Sequence, residues 1–127
     1  MTWPVLICGE DLSSIQSLQA LVESEGFSVD ASMHPSQVVG PCLRGRYKLA
    51  IVALGEEDES SEDERLELIR LIHEINPRLP VVVVSGPESL QIEREIRSLG
   101  IFYLLTTPLS RRELRDVLRC ALGRRER

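Results

Sequence analysis

The feature that most constrains the fold is an unbroken apolar run at residues 49–54, LAIVAL. Gly55 and a dense acidic segment follow it directly. A run without polar alternation is typical of a strand buried on both faces, as in the centre of a parallel sheet. In such sheets, ligands and reactive groups lie beyond the carboxyl ends of the strands. The sequence therefore places the candidate site at Ala53, Leu54 and Gly55, none of which carries a reactive side chain.

Strand-like and helix-like segments alternate along the chain. Short apolar runs bounded by turn residues predict strands at residues 5–8, 27–31, 49–54, 81–84 and 101–105. Apolar residues at helical spacing predict four helices, for which the expected N-caps are Ser13, Ser61, Ser85 and Ser110 and the expected stops include Gly26, Gly100 and Gly123. A fifth, weaker helix at residues 35–43 contains Gly40 and Pro41. This order predicts a doubly wound, flavodoxin-like α/β fold, with a five-stranded parallel sheet of order 2-1-3-4-5 and five helices.

Length and composition indicate one globular domain. We assign residues 1–127 to a single domain whose core spans about residues 4–123. Hydrophobic residues at 43% and charged residues at 28% favour neither disorder nor a membrane span. Three cysteines without CxxC spacing favour structural thiols over a zinc site. The net charge of −5 disfavours general nucleic-acid binding, and the absence of a secretion signal favours the cytoplasm.

Five landmarks, taken together, resemble a CheY-like response-regulator receiver domain over residues 5–122. They are VLICGED, YKLAIVAL, NPRLPVVVVSG, LGIFYLLTTPLS and RRELRDVL, in this order and spacing. The resemblance implies bacterial two-component signal transduction and a phosphorelay. It also implies a phosphoryl-transfer site built from an acidic pair, a phosphoacceptor aspartate, a Ser or Thr, and a Lys before Pro.

The positions that correspond to that phosphoryl-transfer site are Gly9, Glu10, Ala53, Ser85 and Thr107. A methyl group at Ala53 can neither attack a phosphodonor nor carry an acyl phosphate. Gly9 supplies no carboxylate for magnesium and Thr107 supplies no cation for the transferring group. We therefore expect a degenerate pseudo-receiver without enzymatic activity, metal or cofactor, whose pocket is apolar and preformed. Because the family's Lys-Pro bond is typically cis, the resemblance also implies a cis Thr107–Pro108 bond.

A receiver of this kind would act through its surface, as a phosphorylation-independent protein-interaction module. The resemblance places partner contacts on the fifth strand and the helices that flank it. The expected contact residues are Arg94, Arg97, Phe102, Tyr103, Arg112, Arg115 and Arg119. Arginine suits carboxylate recognition, so an acidic signalling protein, an output domain or a salt-bridged homodimer is the expected partner. The alternative is that these arginines are only the solvated side of two helices.

Two other interpretations remain open. One is a small-ligand or flavin-binding module that uses the crevice between the first and third strands, although the loop at residues 8–14 has one glycine and no run of hydroxyl residues to cradle a phosphate. The other concerns the acidic segment at residues 56–64, which is either a solvated loop or a cation site. A nucleic-acid contact through the basic tail at residues 124–127 is disfavoured.

Overall fold

The structure is a computed structural model that describes residues 4–9, 12–32, 47–54, 62–86 and 90–122. These residues form five strands and four helices. In chain order they are β1 (Pro4–Gly9), α1 (Leu12–Ser24), β2 (Ser28–Ser32), β3 (Leu49–Ala53), α2 (Glu62–Ile75), β4 (Val81–Ser85), α3 (Leu90–Arg97), β5 (Tyr103–Thr106) and α4 (Arg111–Leu122). The predicted helix at residues 35–43 lies outside this described part, which therefore holds four of the five expected helices. None of the four is long and apolar enough to span a membrane.

The strands form one parallel sheet in the order β2-β1-β3-β4-β5, which confirms the predicted topology. All five residues of β3 and all five of β4 are buried. Their side chains are shielded on both faces because helices cover both sides of the sheet, and β-branched residues fit such positions well. The apolar run at residues 49–54 is therefore a central strand, as its sequence predicts.

The core consists of two hydrophobic clusters, one on each face of the sheet. The first cluster joins the sheet to α1 and α4 through Ile15, Leu18, Val22, Leu114, Val117, Leu118, Ala121 and Leu122. The second joins it to α2 and α3 through Leu66, Ile69, Ile72 and Ile96. Successive residues of a strand point to opposite faces, so Ile51 belongs to the first cluster and Val52 to the second.

Helix ends follow the predicted chemistry at some positions and depart from it at others. Ser110 is a true N-cap, because the Glu113 backbone N–H donates to its Oγ at 3.1 Å. Gly26 and Gly100 follow α1 and α3 with φ angles of 97° and 82°, which favour glycine. The cap predicted at Ser13 is wrong, since α1 begins at Leu12 and Ser13 lies inside it.

Ser85 ends β4, and its hydroxyl donates to the Gly86 carbonyl oxygen at 3.0 Å. The cap predicted for this serine pairs it with Glu88, which lies outside the described residues. The other two predicted terminal residues, Ser61 and Gly123, lie outside the described residues.

Edge positions account for the remaining differences. β2 pairs only with β1, and Ser32 is its one buried residue, whereas Ala31 is exposed. β5 begins at Tyr103, two residues later than predicted. Leu90, the first residue of α3, is 64% exposed although it is apolar. An edge element is covered on fewer sides, so hydrophobic pattern alone defines its facing residues less well.

Candidate functional site

The backbones of β1 and β3 come unusually close at the carboxyl edge of the sheet. Gly9 and Ala53, the last residues of the two strands, are register partners. A Cβ atom added to Gly9 would lie 2.6 Å from the Ala53 carbonyl oxygen and 3.2 Å from its Cβ. Glycine permits this approach because it has no side chain. Position 9 therefore cannot carry a carboxylate unless the backbone moves.

Ala53 itself sits in an apolar setting. Its side chain is 6% exposed and belongs to the first cluster, together with Val84 of the neighbouring strand. The chain continues in register beyond it, since the Leu54 N–H donates to the Val84 carbonyl oxygen at 2.9 Å. Position 53, where the resemblance predicts a phosphoacceptor, thus carries a buried methyl group that packs in the first cluster.

Two more predicted site residues meet at the ends of β4 and β5. Ser85 is 2% exposed, and its carbonyl oxygen accepts a hydrogen bond from the Thr107 N–H at 2.9 Å. Thr107 is exposed and presents a hydroxyl where the family pattern has a lysine ammonium group. The Thr107–Pro108 peptide bond is cis, which confirms that prediction. The structure thus brings Gly9, Ala53, Ser85 and Thr107 to one edge of the sheet.

The remaining acidic positions of interest lie mostly beyond the described part of the chain. Glu10 and Gly55 are outside it, as is the acidic segment up to residue 61. Among the described residues, no group of three or more His, Cys, Asp or Glu side chains is arranged to hold a metal ion. The cation site considered for residues 56–64 stays a hypothesis.

A cavity of about 310 Å³ opens beside Ala53, between α1 and the segment that joins β5 to α4. Its apolar wall consists of Leu18, Leu21, Ala53, Leu54, Val84 and Leu109. Its hydroxyl edge consists of Ser13, Ser14, Ser17 and Thr107. A pocket is therefore present beside Ala53, as expected, but its lining includes hydroxyl side chains as well as apolar ones. The i, i+1, i+4 spacing of the three serines on a helix could have revealed this edge, because it places them on neighbouring faces.

A second candidate surface lies on β5 and the two helices beside it. Phe102 and Tyr103 are each 40% exposed, which is unusual for large aromatic side chains. The Tyr103 hydroxyl donates to Glu113 Oε2 at 3.1 Å and so connects β5 to α4. This hydrogen bond and the charge of Glu113 raise the pKa of Tyr103, while the charge of Arg97 on α3 acts in the opposite direction.

The arginines predicted to face a partner fall into two groups. Arg94, Arg97, Arg112 and Arg119 are exposed, and none of them forms an ion pair with another described residue. Arg115 is engaged within the molecule, because its Nε lies 3.2 Å from Glu25 Oε1. Arg111 approaches the same carboxylate, with Nε 3.6 Å from Glu25 Oε2. Glu25 therefore connects the end of α1 to α4.

No known family profile and no curated protein matches the sequence, but solved structures share its fold. A pilus assembly-related protein from Burkholderia pseudomallei has a TM-score of 0.79 and 23% identity, over 96% of this chain and 90% of that one. A pilus assembly protein from Burkholderia thailandensis has a TM-score of 0.76 and 24% identity, over 96% and 99%.

A CheY-like response-regulator receiver domain from Methanospirillum hungatei is similar over 99% of this chain and 98% of its own, with a TM-score of 0.80 and 20% identity. Identities this low show the fold alone. The structural neighbours include CheY-like receiver domains, and the five-stranded parallel sheet is of the flavodoxin and CheY-like kind.

Proposed function

We propose that this chain is a pseudo-receiver that works in signal transduction as a phosphorylation-independent protein-interaction module. The observation that carries the proposal is the buried methyl group of Ala53 at the carboxyl end of the central strand. An acyl phosphate needs a carboxylate, and alanine has none. The close backbone approach at Gly9 and the hydroxyl at Thr107 support the same conclusion, because magnesium ligands and a balancing cation are then missing from these positions.

The proposed contact region is the arginine–aromatic surface, defined by Arg94, Arg97, Phe102, Tyr103, Arg112 and Arg119. Arg115 is left out because Glu25 already holds it. Exposed aromatic and arginine side chains are enriched where proteins bind one another, and guanidinium groups pair with carboxylates. We propose a partner with an acidic surface, which includes an output domain or a second copy of this chain.

The proposed setting is bacterial and cytoplasmic, in two-component signalling or in a phosphorelay. Two fold neighbours are described as pilus assembly proteins. We therefore include assembly machinery among the settings in which such an interaction module would operate. The proposal treats the chain as a non-enzymatic component in all of them.

Exposure to a small phosphodonor tests whether the chain can be phosphorylated. We expect the intact mass to stay unchanged after incubation with acetyl phosphate and Mg²⁺, because no nucleophilic carboxylate stands at position 53. A receiver domain with an intact site, treated in parallel, provides the positive control. A mass increase of one phosphoryl group that is lost on mild alkaline treatment would overturn the proposal.

Charge reversal tests the contact surface. We expect Arg94→Glu and Arg112→Glu each to weaken partner binding or self-association by about tenfold, and the loss to be largest at low salt. Arg78→Glu makes the same charge change at an exposed position outside the surface, so it serves as the matched control. Binding is measured by quantitative affinity capture, and self-association by light scattering on size-exclusion chromatography. Equal effects of all three variants would count against this surface.

A further inference from the structure

We propose that the cavity beside Ala53 binds a small uncharged molecule that has an apolar body and one or two hydrogen-bonding groups. The cavity lies between α1 and the segment that joins β5 to α4, and none of the residues of the arginine–aromatic surface is among its described lining residues. This inference rests on the size and lining of the cavity, and it does not depend on the partner-binding role proposed above.

The size of the cavity limits the ligand. At about 310 Å³ it is at the lower end of the range for small-molecule sites. Liquid water occupies roughly 30 Å³ per molecule, so the cavity offers the space of about ten waters. A molecule of one or two fused rings fits this volume, whereas a complete flavin nucleotide does not.

The lining defines the chemistry of the ligand. One wall is hydrocarbon from Leu18, Leu21, Val84 and Leu109, and contact with it favours an apolar body. The lining also includes residues with hydroxyl groups, among them Ser17 and Thr107, and a hydroxyl both donates and accepts hydrogen bonds. A ligand hydroxyl, carbonyl or amide would therefore orient toward these hydroxyl groups.

Charge excludes ionic ligands. Among the described residues that line the cavity, none is acidic or basic. A phosphate, carboxylate or ammonium group placed against the apolar wall would lose its hydration without gaining an ion partner among these residues, which is costly. The site therefore differs in ligand class from one that binds a phosphoryl group.

A pair of matched probes tests this assignment. 2-Naphthol is uncharged at neutral pH and has two fused rings with one hydroxyl, whereas 2-naphthoate has the same rings with a negative charge. We expect 2-naphthol to shift the methyl resonances of Leu18, Leu21 and Val84 saturably, with a Kd on the order of 1 mM. We expect 2-naphthoate to bind at least about tenfold more weakly.

Two variants on the same helix locate the binding. Ser17 and Gln16 are both exposed on α1, but only Ser17 lines the cavity. Ser17→Phe should fill the cavity from its edge and weaken 2-naphthol binding by about tenfold or more, while Gln16→Phe should leave the Kd within about twofold. Thr107→Val removes a hydroxyl at nearly constant shape and should weaken binding about threefold, so the test stands even if Ser17→Phe does not fold.

Three results would overturn the proposal. They are the absence of saturable shifts up to the solubility limit of 2-naphthol, equal binding of the charged probe, and full binding by both Ser17→Phe and Thr107→Val. Each is separate from the phosphodonor and charge-reversal tests, so failure here leaves the pseudo-receiver proposal standing.

Discussion

At the scale of single residues, the small side chains at the carboxyl edge depend on one another. The backbone of β3 occupies the space that a Cβ of Gly9 would need. A carboxylate at position 53 would lie between the apolar residues of the first cluster and the cavity, and no charged residue lines that cavity among the described ones. Burial of an unpaired carboxylate is costly and raises its pKa. Alanine at position 53 and glycine at position 9 therefore suit the same apolar, closely packed edge.

A steric test of this edge compares two glycines. Gly9→Ala should lower the free energy of unfolding by about 1–3 kcal/mol, because the new Cβ would meet the Ala53 carbonyl oxygen at 2.6 Å. At Gly86 the one described atom that a Cβ would meet is Thr107 Oγ1, at an ordinary 3.7 Å. Gly86→Ala should therefore be neutral or slightly stabilising. Urea denaturation measures both, and equal losses would contradict the close approach of β1 and β3.

The hydrogen bond between Tyr103 and Glu113 predicts a measurable titration. Glu113→Gln should lower the pKa of Tyr103 toward its ordinary value of 10.0, because both the bond to the carboxylate and its charge are removed. The pKa in the folded protein is raised. The contribution of this hydrogen bond to folding stability is therefore fully present below the pKa that Tyr103 has in the unfolded chain. It is lost as the pH rises through the pKa of Tyr103 in the folded protein.

Ring ¹³C NMR follows this titration and separates the two tyrosines of the chain. Tyr47, whose hydroxyl donates to Asp30 Oδ2 at 2.8 Å, is the internal control, because Glu113→Gln leaves its contacts unchanged. An unchanged titration of Tyr103 in the variant would show that Glu113 does not act on it.

At the scale of elements, the sequence pattern predicted the strands that are covered on both faces and the helices that have a strong apolar stripe. The four valines of β4 and the stripe from Leu114 to Leu122 needed no tertiary information, because one is a continuous apolar run and the other repeats at helical spacing. The positions of the candidate site also followed from the order of the strands. The tight Gly9 contact and the hydroxyl-edged cavity could not be predicted. Both depend on the spacing of elements that are distant in sequence.

Helix α3 offers a test of how an element is held to the sheet. Ile96 is its one fully buried residue in the described part, whereas Leu90 at its start is largely exposed. Ile96→Ala should cost about 2–5 kcal/mol and reduce hydrogen-exchange protection across the helix. Leu90→Ala removes a side chain of similar size from the same helix and should cost no more than about 0.5 kcal/mol. Comparable losses from the two variants would mean that α3 packs through another face.

At the scale of the whole molecule, stability depends on two separate clusters divided by the sheet. The first cluster holds α1 and α4, and the second holds α2 and α3. The cavity opens on the side of the first cluster, whereas the arginine–aromatic surface spans both sides, with α4 on the first and α3 on the second. Only the arginine–aromatic surface therefore depends on both clusters.

Neighbouring valines of β4 test this two-sided arrangement. Val82 faces the first cluster and Val83 the second, and both are fully buried. Val82→Ala and Val83→Ala should each cost about 2 kcal/mol, from roughly 0.8 kcal/mol per buried methylene plus the cavity that is left. Val29→Ala, in the half-buried edge strand β2, should cost less. Thermal and urea denaturation measure all three. A near-neutral change at Val82 or at Val83 would mean that one face of the sheet is open to solvent.

The close approach of the Gly9 and Ala53 backbones also constrains how this sequence can evolve. A substitution that places an acidic residue at position 9 would require β1 and β3 to move apart. An acid introduced at position 53 alone would have neither a carboxylate at position 9 nor a cation at position 107 beside it. Lineages that inherit this packing are therefore expected to diversify their surfaces while positions 9 and 53 stay small and uncharged.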